Sequence, residues 1–191
     1  MTYAAMGLPF EFDSFNKLSA RQAEKFFQWY IGQIECRMNI LKDYIHKENK
    51  NLLFDYSPES LISLWEWYEH KIIIEKKTEE ELKNEYGRYP DWMRDEISKT
   101  KVSSETLDIG MDLAIYFAEV IRKQYPDKLH WGYFTKPKKK MYVNQPVLLG
   151  FKNDKPLCAG QIIKVCTFRS SEVLQKTRLY DLYIVWINLI N

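Results

Sequence analysis

Between Glu105 and Tyr125 the chain places apolar side chains on nearly every face a helix has. Leu107, Ile109, Met111, Leu113, Ala114, Ile115, Phe117, Ala118, Val120 and Ile121 leave room for only a narrow polar stripe. A helix that is apolar almost all round has to be covered on several sides, so it belongs at the centre of a domain. Ser104 is placed to cap it. Gly110 lacks a side chain and lets another element approach closely. The rest of the chain must therefore supply the layers that wrap this helix.

Helical layers are easy to find. From Ala20 to Lys47, Ala23, Phe26, Phe27, Tyr30, Ile31, Ile34, Met38, Leu41, Tyr44 and Ile45 recur in steps that keep them on one face. Ser19 and Gln22 form a capping box at its start. Ser57-Pro58-Glu59 opens a second helix, with Leu61, Leu64, Trp65, Tyr68 and Ile72 as its inner stripe. Thr78 with Glu81 is another capping box and opens a short charged helix that ends near Gly87. Residues 75–101 carry 8 acidic and 7 basic side chains, which reads as a solvated surface segment. Within it, Tyr86 to Trp92 reads as an aromatic turn packed onto the domain.

After Tyr125 the texture changes. Leu129 to Thr135 and Met141 to Phe151 are rich in aromatic and β-branched residues, with Pro137 to Lys140 between them. This pattern predicts a β-hairpin with a lysine-rich tip, its second arm interrupted at Gln145-Pro146. Leu157 to Phe168 suits either strand or helix, and Pro156 behind Asp154 favours the helix. Ser171-Glu172 opens a last helix, with Leu174, Leu182, Tyr183, Val185, Trp186 and Leu189 on or near its inner face. The fold class is therefore α+β and mainly α. One globular domain, 1–191, holds five to six helices, the central apolar one among them, and a small β-hairpin.

Composition narrows the function classes. Aliphatic and aromatic residues make up 46% of the chain, too many for a mainly disordered protein. The three cysteines, Cys36, Cys158 and Cys166, are odd in number and never spaced C-x-x-C, which predicts free thiols and a cytoplasmic setting. Met1 to Phe10 has no basic segment followed by an apolar one, so no secretion signal is expected. No window reaches about 18 uninterrupted apolar residues, so no membrane span is expected. Charge is uneven: residues 1–127 hold 17 basic and 23 acidic side chains, and residues 128–191 hold 11 and 3. Such asymmetry marks a partner-binding face, or two halves that attract each other.

Phosphate-cradling, dinucleotide and nucleophile-elbow motifs are missing, so no cofactor is expected. His46, His70 and His130 lie far apart, and Glu66, Glu69 and His70 lack the second histidine of a zinc helix, so no metal is expected either. Glu66 and His70 read as a surface pair. Two features remain. Asp108, Asp112 and Glu119 fall within about 40° of one another on the central helix, with Arg122 close by. This stripe is an acid–base pair, a metal seat, a docking strip, or simply the solvated face of the helix. The second feature is the lysine-rich tip, Lys138, Lys139 and Lys140, flanked by Trp131, Tyr133, Phe134 and Tyr142. Lysines attract phosphate and aromatics stack on bases, but a sequence pI near 8.3 weighs against nucleic acid.

Leu107-Asp108-Ile109-Gly110, Glu119-Val120-Ile121, Trp131, Asn144-Gln145-Pro146-Val147-Leu148, Gly150-Phe151 and the ending Leu182-Tyr183-Ile184-Val185-Trp186 together resemble a family of uncharacterised bacterial cytoplasmic proteins. The resemblance covers roughly residues 105–190. It implies a shared cluster of Asp108, Glu119, Trp131, Asn144 and Gln145. It also implies a small accessory protein similar in character to the immunity proteins that neutralise a sister cell's toxin. Two function classes follow. The first is a non-enzymatic binding protein whose partner is a protein such as a toxin. The second is a small enzyme or nucleic-acid-processing factor that uses the helix-borne carboxylates.

Overall fold

The central helix is where the sequence places it. In the computed structural model, which describes residues 2–139, 141–170 and 172–190, α4 spans Ser104–Gln124. Every residue from Asp112 to Ile121 on it is buried. Its cap is Ser103, one residue earlier than expected, whose hydroxyl accepts from the Thr106 amide. Four helices pack against α4: α1 (Ala20–Glu48), α2 (Ser60–Glu69), α5 (Ala159–Ser170) and α6 (Arg178–Ile187). A short α3 (Glu79–Tyr86) stands apart from them. The fold is α+β and mainly α, as expected, with six α-helices among the described residues.

Local sequence chemistry sets most helix ends. Both capping boxes form, Ser19 with Gln22 on α1 and Thr78 with Glu81 on α3. Ser57 accepts from the Ser60 amide across a Pro58-Glu59 turn, so α2 begins one turn later than its serine. Most of 157–168 resolves as helix: α5 begins at Ala159, while Leu157 bridges Leu148 as an isolated β-pair. The last helix starts at Arg178 and not at Glu172; Ser171 lies outside the described residues. The buried carboxylate of Glu69 holds the intervening chain by accepting from the Gln175 amide (3.0 Å) and the Ser170 hydroxyl (2.5 Å). Leu174, next to Gln175, is exposed, and Val185 on α6 is exposed as well.

Two short antiparallel pairs complete the fold. β3 (His130–Gly132) pairs with β4 (Val147–Leu149), Trp131 opposite Leu148. The pairing starts directly after Pro146, and residues 133–146 form a long connection in place of a tight tip. The second pair, β1 (Ile74–Lys76) with β2 (Thr100–Val102), was not anticipated. It closes the charged excursion that carries α3. Lys77–Glu85 and Lys101–Glu81 ion pairs hold that excursion, and no apolar wall reaches its aromatic turn. Trp92 is therefore 76% exposed, contrary to the expectation that the turn packs inward.

α4 and α5 run antiparallel. Thr106 and Thr167 are joined through the Tyr68 hydroxyl (3.1 and 2.9 Å), and a side chain at Gly110 or Gly160 would meet Ile163 or Met111 respectively. A Cβ at Gly110 would also lie 2.6 Å from the Tyr68 oxygen, so glycine is what allows α2 this close. Residues 2–18 form a strap of irregular chain across α1 and α4. Its Phe10, Phe12 and Phe15 pack edge-on around Phe26 of α1.

Met111, by contrast, is 39% exposed and not part of the core. Phe117→Asp should unfold the protein, because it buries an unpaired charge and costs more than about 4 kcal/mol. Met111→Asp should stay folded, losing no more than about 1 kcal/mol. Melting temperatures of the two variants check both statements; equal losses would contradict the burial difference.

Candidate functional site

Two of the three carboxylates in the stripe are not on a solvated face; Asp108 is half-buried. Asp112 and Glu119 are both buried on α4, and seven residues of helix separate them by about 10 Å. Each is held by its own arginine. Arg37 of α1 donates Nε to Asp112 Oδ1 and Oδ2 (2.9 and 3.1 Å) and Nη2 to Oδ2 (2.6 Å). The Tyr3 hydroxyl donates to the same Oδ2. Arg37 Nη2 also donates to the Ala4 carbonyl (2.6 Å), and the Tyr3 amide to Glu105 (2.9 Å). Burial pushes the Asp112 carboxyl above its ordinary range, and the Arg37 and Tyr3 hydrogen bonds pull it back only in part. Burial works against the Arg37 charge too, but its bonds to Asp112 outweigh that. A guanidinium does not deprotonate in a protein, so the arrangement is an ion pair tying strap, α1 and α4 together.

Glu119 forms the second node. Arg122 donates Nε and Nη2 to its two oxygens (2.8 and 2.7 Å), and the Trp131 indole donates to Oε1 (2.7 Å). Burial would push this carboxyl up, but Arg122 and Trp131 outweigh it and hold it below its ordinary 4.5. Trp131 meets Tyr30 edge-on at 5.5 Å. Of the cluster implied by resemblance, Glu119 and Trp131 are brought together; Asn144 is elsewhere. Buried Asn144 donates Nδ2 to the Phe15 and Leu18 carbonyls (2.6 and 3.2 Å) and so pins the far end of the strap. Its positive φ is one that asparagine tolerates.

The lysine tip is only partly a free surface. Lys138 donates to the Leu18 carbonyl (2.5 Å) and joins Asn144 in holding the strap. Lys139 is exposed, and Lys140 lies outside the described residues. Of the flanking aromatics, Tyr133 rests on Phe27 with ring centres 4.8 Å apart. His70 bonds through Nδ1 to the Glu66 backbone carbonyl (2.7 Å) and not to its carboxylate. Among the described residues no group of three His, Cys, Asp or Glu is placed to share a metal ion. No helix among them is long and apolar enough to cross a membrane.

Asp108 and Gln145 both lie elsewhere, on the wall of a cavity of about 450 Å³ between the strap, α1, α2, α4 and α5. Met6, Leu8, Phe12 and Phe15 of the strap form one side, and Phe26 and Tyr30 of α1 another. Gly110 and Gly160 add no side chain to fill it. Polar groups on the wall are few. Burial pushes the Tyr68 phenol up to about 12, so it stays protonated, and burial pushes Tyr30 up as well. Gln145 Oε1 accepts from the buried Cys158 thiol at 3.4 Å. Apolar side chains stay exposed along the cavity: Leu8 is 60% and Leu107 36% accessible.

Arg37 and Glu69 carry buried polar nodes that sequence reasoning missed. Their signal was position: Arg37 sits in the inner stripe of α1 beside Ile34, Met38 and Leu41, and Glu69 in that of α2 beside Leu61, Trp65 and Tyr68.

Two outcomes follow. Asp112→Ala leaves the Arg37 charge buried and unpaired and should cost about 3–5 kcal/mol in urea unfolding; a loss within about 0.5 kcal/mol, the range of surface substitutions, would mean the pair is solvated. Glu119 titrates below 4.5 in the folded chain, so its stabilisation is complete above that value and is lost as pH falls through the lowered one. The melting-temperature gap between wild type and Glu119→Gln should be full at neutral pH and close in acid. Asp112, shifted the other way, is common to both proteins and drops out of the difference. A gap independent of pH would disprove the linkage.

The chain matches no protein-family model, no curated protein and no solved structure.

Proposed function

We propose that this chain is a non-enzymatic binding protein and that its ligand enters the cavity beneath the strap. The observation that carries this reading is the cavity itself. Its volume of about 450 Å³ falls among pockets that enclose small molecules, which are mostly apolar with a few placed polar groups. The carboxylates that would serve an enzyme support the same reading, because Asp112 and Glu119 are each committed to an arginine and to a second donor. A toxin-neutralising protein of the bacterial cytoplasm, as the resemblance implies, is a special case in which the partner is a protein; the cavity favours a small ligand.

The test uses N-phenyl-1-naphthylamine, an uncharged fluorophore that brightens in apolar surroundings. Saturable one-site binding to the full chain is expected. In Gly160→Leu the new side chain starts against Met111 at the cavity wall, where the Cβ has ordinary room at 3.7 Å. Binding should weaken tenfold or more, about 1.4 kcal/mol, with no loss in melting temperature, since leucine favours helix over glycine. Non-saturable binding, or equal affinity in the variant, would refute the cavity as the site.

A further inference from the structure

Among the described residues two charged side chains line the cavity, one of each sign: Asp108 on α4 and Lys164 on α5. The antiparallel register that sets Thr106 beside Thr167 and Gly110 beside Ile163 brings residue 108 level with residue 164. Among the described residues neither forms an ion pair, although oppositely charged neighbours elsewhere in the fold do so freely. Lys164 is exposed and Asp108 half-buried, so the two charges stand where the apolar wall gives way to solvent. Gln145 and Gln161 add amide groups to the same wall.

We propose that this mouth receives the ammonium and carboxylate of an apolar α-amino acid, whose side chain fills the cavity. Asp108 takes the ammonium and Lys164 the carboxylate. The assignment rests on the small-ligand reading above and adds the ligand's chemistry to it. A ligand with one charge would leave the opposite residue unanswered. A zwitterion with an apolar body answers both and also covers the apolar wall. Charge-assisted hydrogen bonds of this kind are the stronger ones, and they set orientation while the apolar body contributes burial. Burial already holds the Asp108 carboxyl above its ordinary value, a strain that a bound cation relieves.

Isothermal titration of the full chain with three probes tests the assignment. L-phenylalanine has both charges, phenethylamine lacks the carboxylate, and 3-phenylpropionate lacks the ammonium. L-phenylalanine should bind at least tenfold tighter than either fragment. Asp108→Asn should weaken L-phenylalanine and phenethylamine about tenfold and leave 3-phenylpropionate unchanged or tighter. Lys164→Gln should weaken L-phenylalanine and 3-phenylpropionate and spare phenethylamine. Both substitutions lie at the mouth, and unchanged melting temperatures verify that they fold. Equal affinity for the three probes, indifference to both substitutions, or no binding of L-phenylalanine while the uncharged fluorophore still saturates would overturn the amino-acid assignment and leave the site standing. Failure of both L-phenylalanine and the fluorophore to bind would remove the site as well.

Discussion

The Arg37–Asp112 pair is the contact on which the rest of the arrangement depends. It joins the two longest helices at a buried point and adds a third party, since Tyr3 and the Ala4 carbonyl bind to the same two side chains. Taking both charges from water is expensive, and a pair of apolar residues of the same volume would stabilise the core at least as well. What the ion pair adds is position. An apolar contact tolerates sliding, whereas a guanidinium fork fits a carboxylate in few geometries. The pair therefore fixes where the strap begins relative to α4, and the cavity inherits its wall from that.

The central helix, the capping boxes, the β3–β4 pairing after Pro146 and the helical state of 159–168 were all legible, because each rests on a local rule. Position along a helix was less legible than its existence. Met111 reads as core from its neighbours, yet it faces a cavity instead of a packed layer. The stripe of Asp108, Asp112 and Glu119 was correctly placed on one face, but its surroundings were misjudged. Helix periodicity says which residues share a face and not what covers that face. Arg37 and Trp131 cover it here, one from 75 residues before Asp112 and the other from 12 residues after Glu119. The β1–β2 pair was invisible for a related reason. Strands of three residues, all exposed in β1 and only Val102 buried in β2, separated by an α-helix, are too short to carry a detectable alternation.

The two lysine-tip and Asn-Gln features changed meaning once placed. Lys138 read as part of a surface tip and Asn144 as part of a cluster with Glu119 and Trp131; both are instead fasteners on carbonyls at the end of the strap. Their targets, Phe15 and Leu18, are backbone groups that no side-chain pattern advertises. Gln145, one residue on, faces the other way and reaches the cavity. Adjacent residues in an irregular connection are not bound to one face as they are in a helix, so the motif split into a structural half and a cavity-facing half.

The strap is thus hydrogen-bonded at both ends and held between them by side-chain packing, with Phe10 and Phe12 against Phe26. Tyr3 and Ala4 are held by Asp112 and Arg37, Phe15 and Leu18 by Asn144 and Lys138. The stretch between carries Met6, Leu8 and Phe12 over the cavity without regular secondary structure. Leu8, near its middle, leaves most of its side chain in solvent. A ligand that fills the cavity supplies the partner atoms this span lacks, so binding and ordering of the strap draw on the same contacts. By linkage, whatever fills the cavity stabilises the folded chain by an amount that grows with its free concentration relative to its Kd. Met6 and Met111 both line this cavity, and unbranched side chains of that kind repack at low cost.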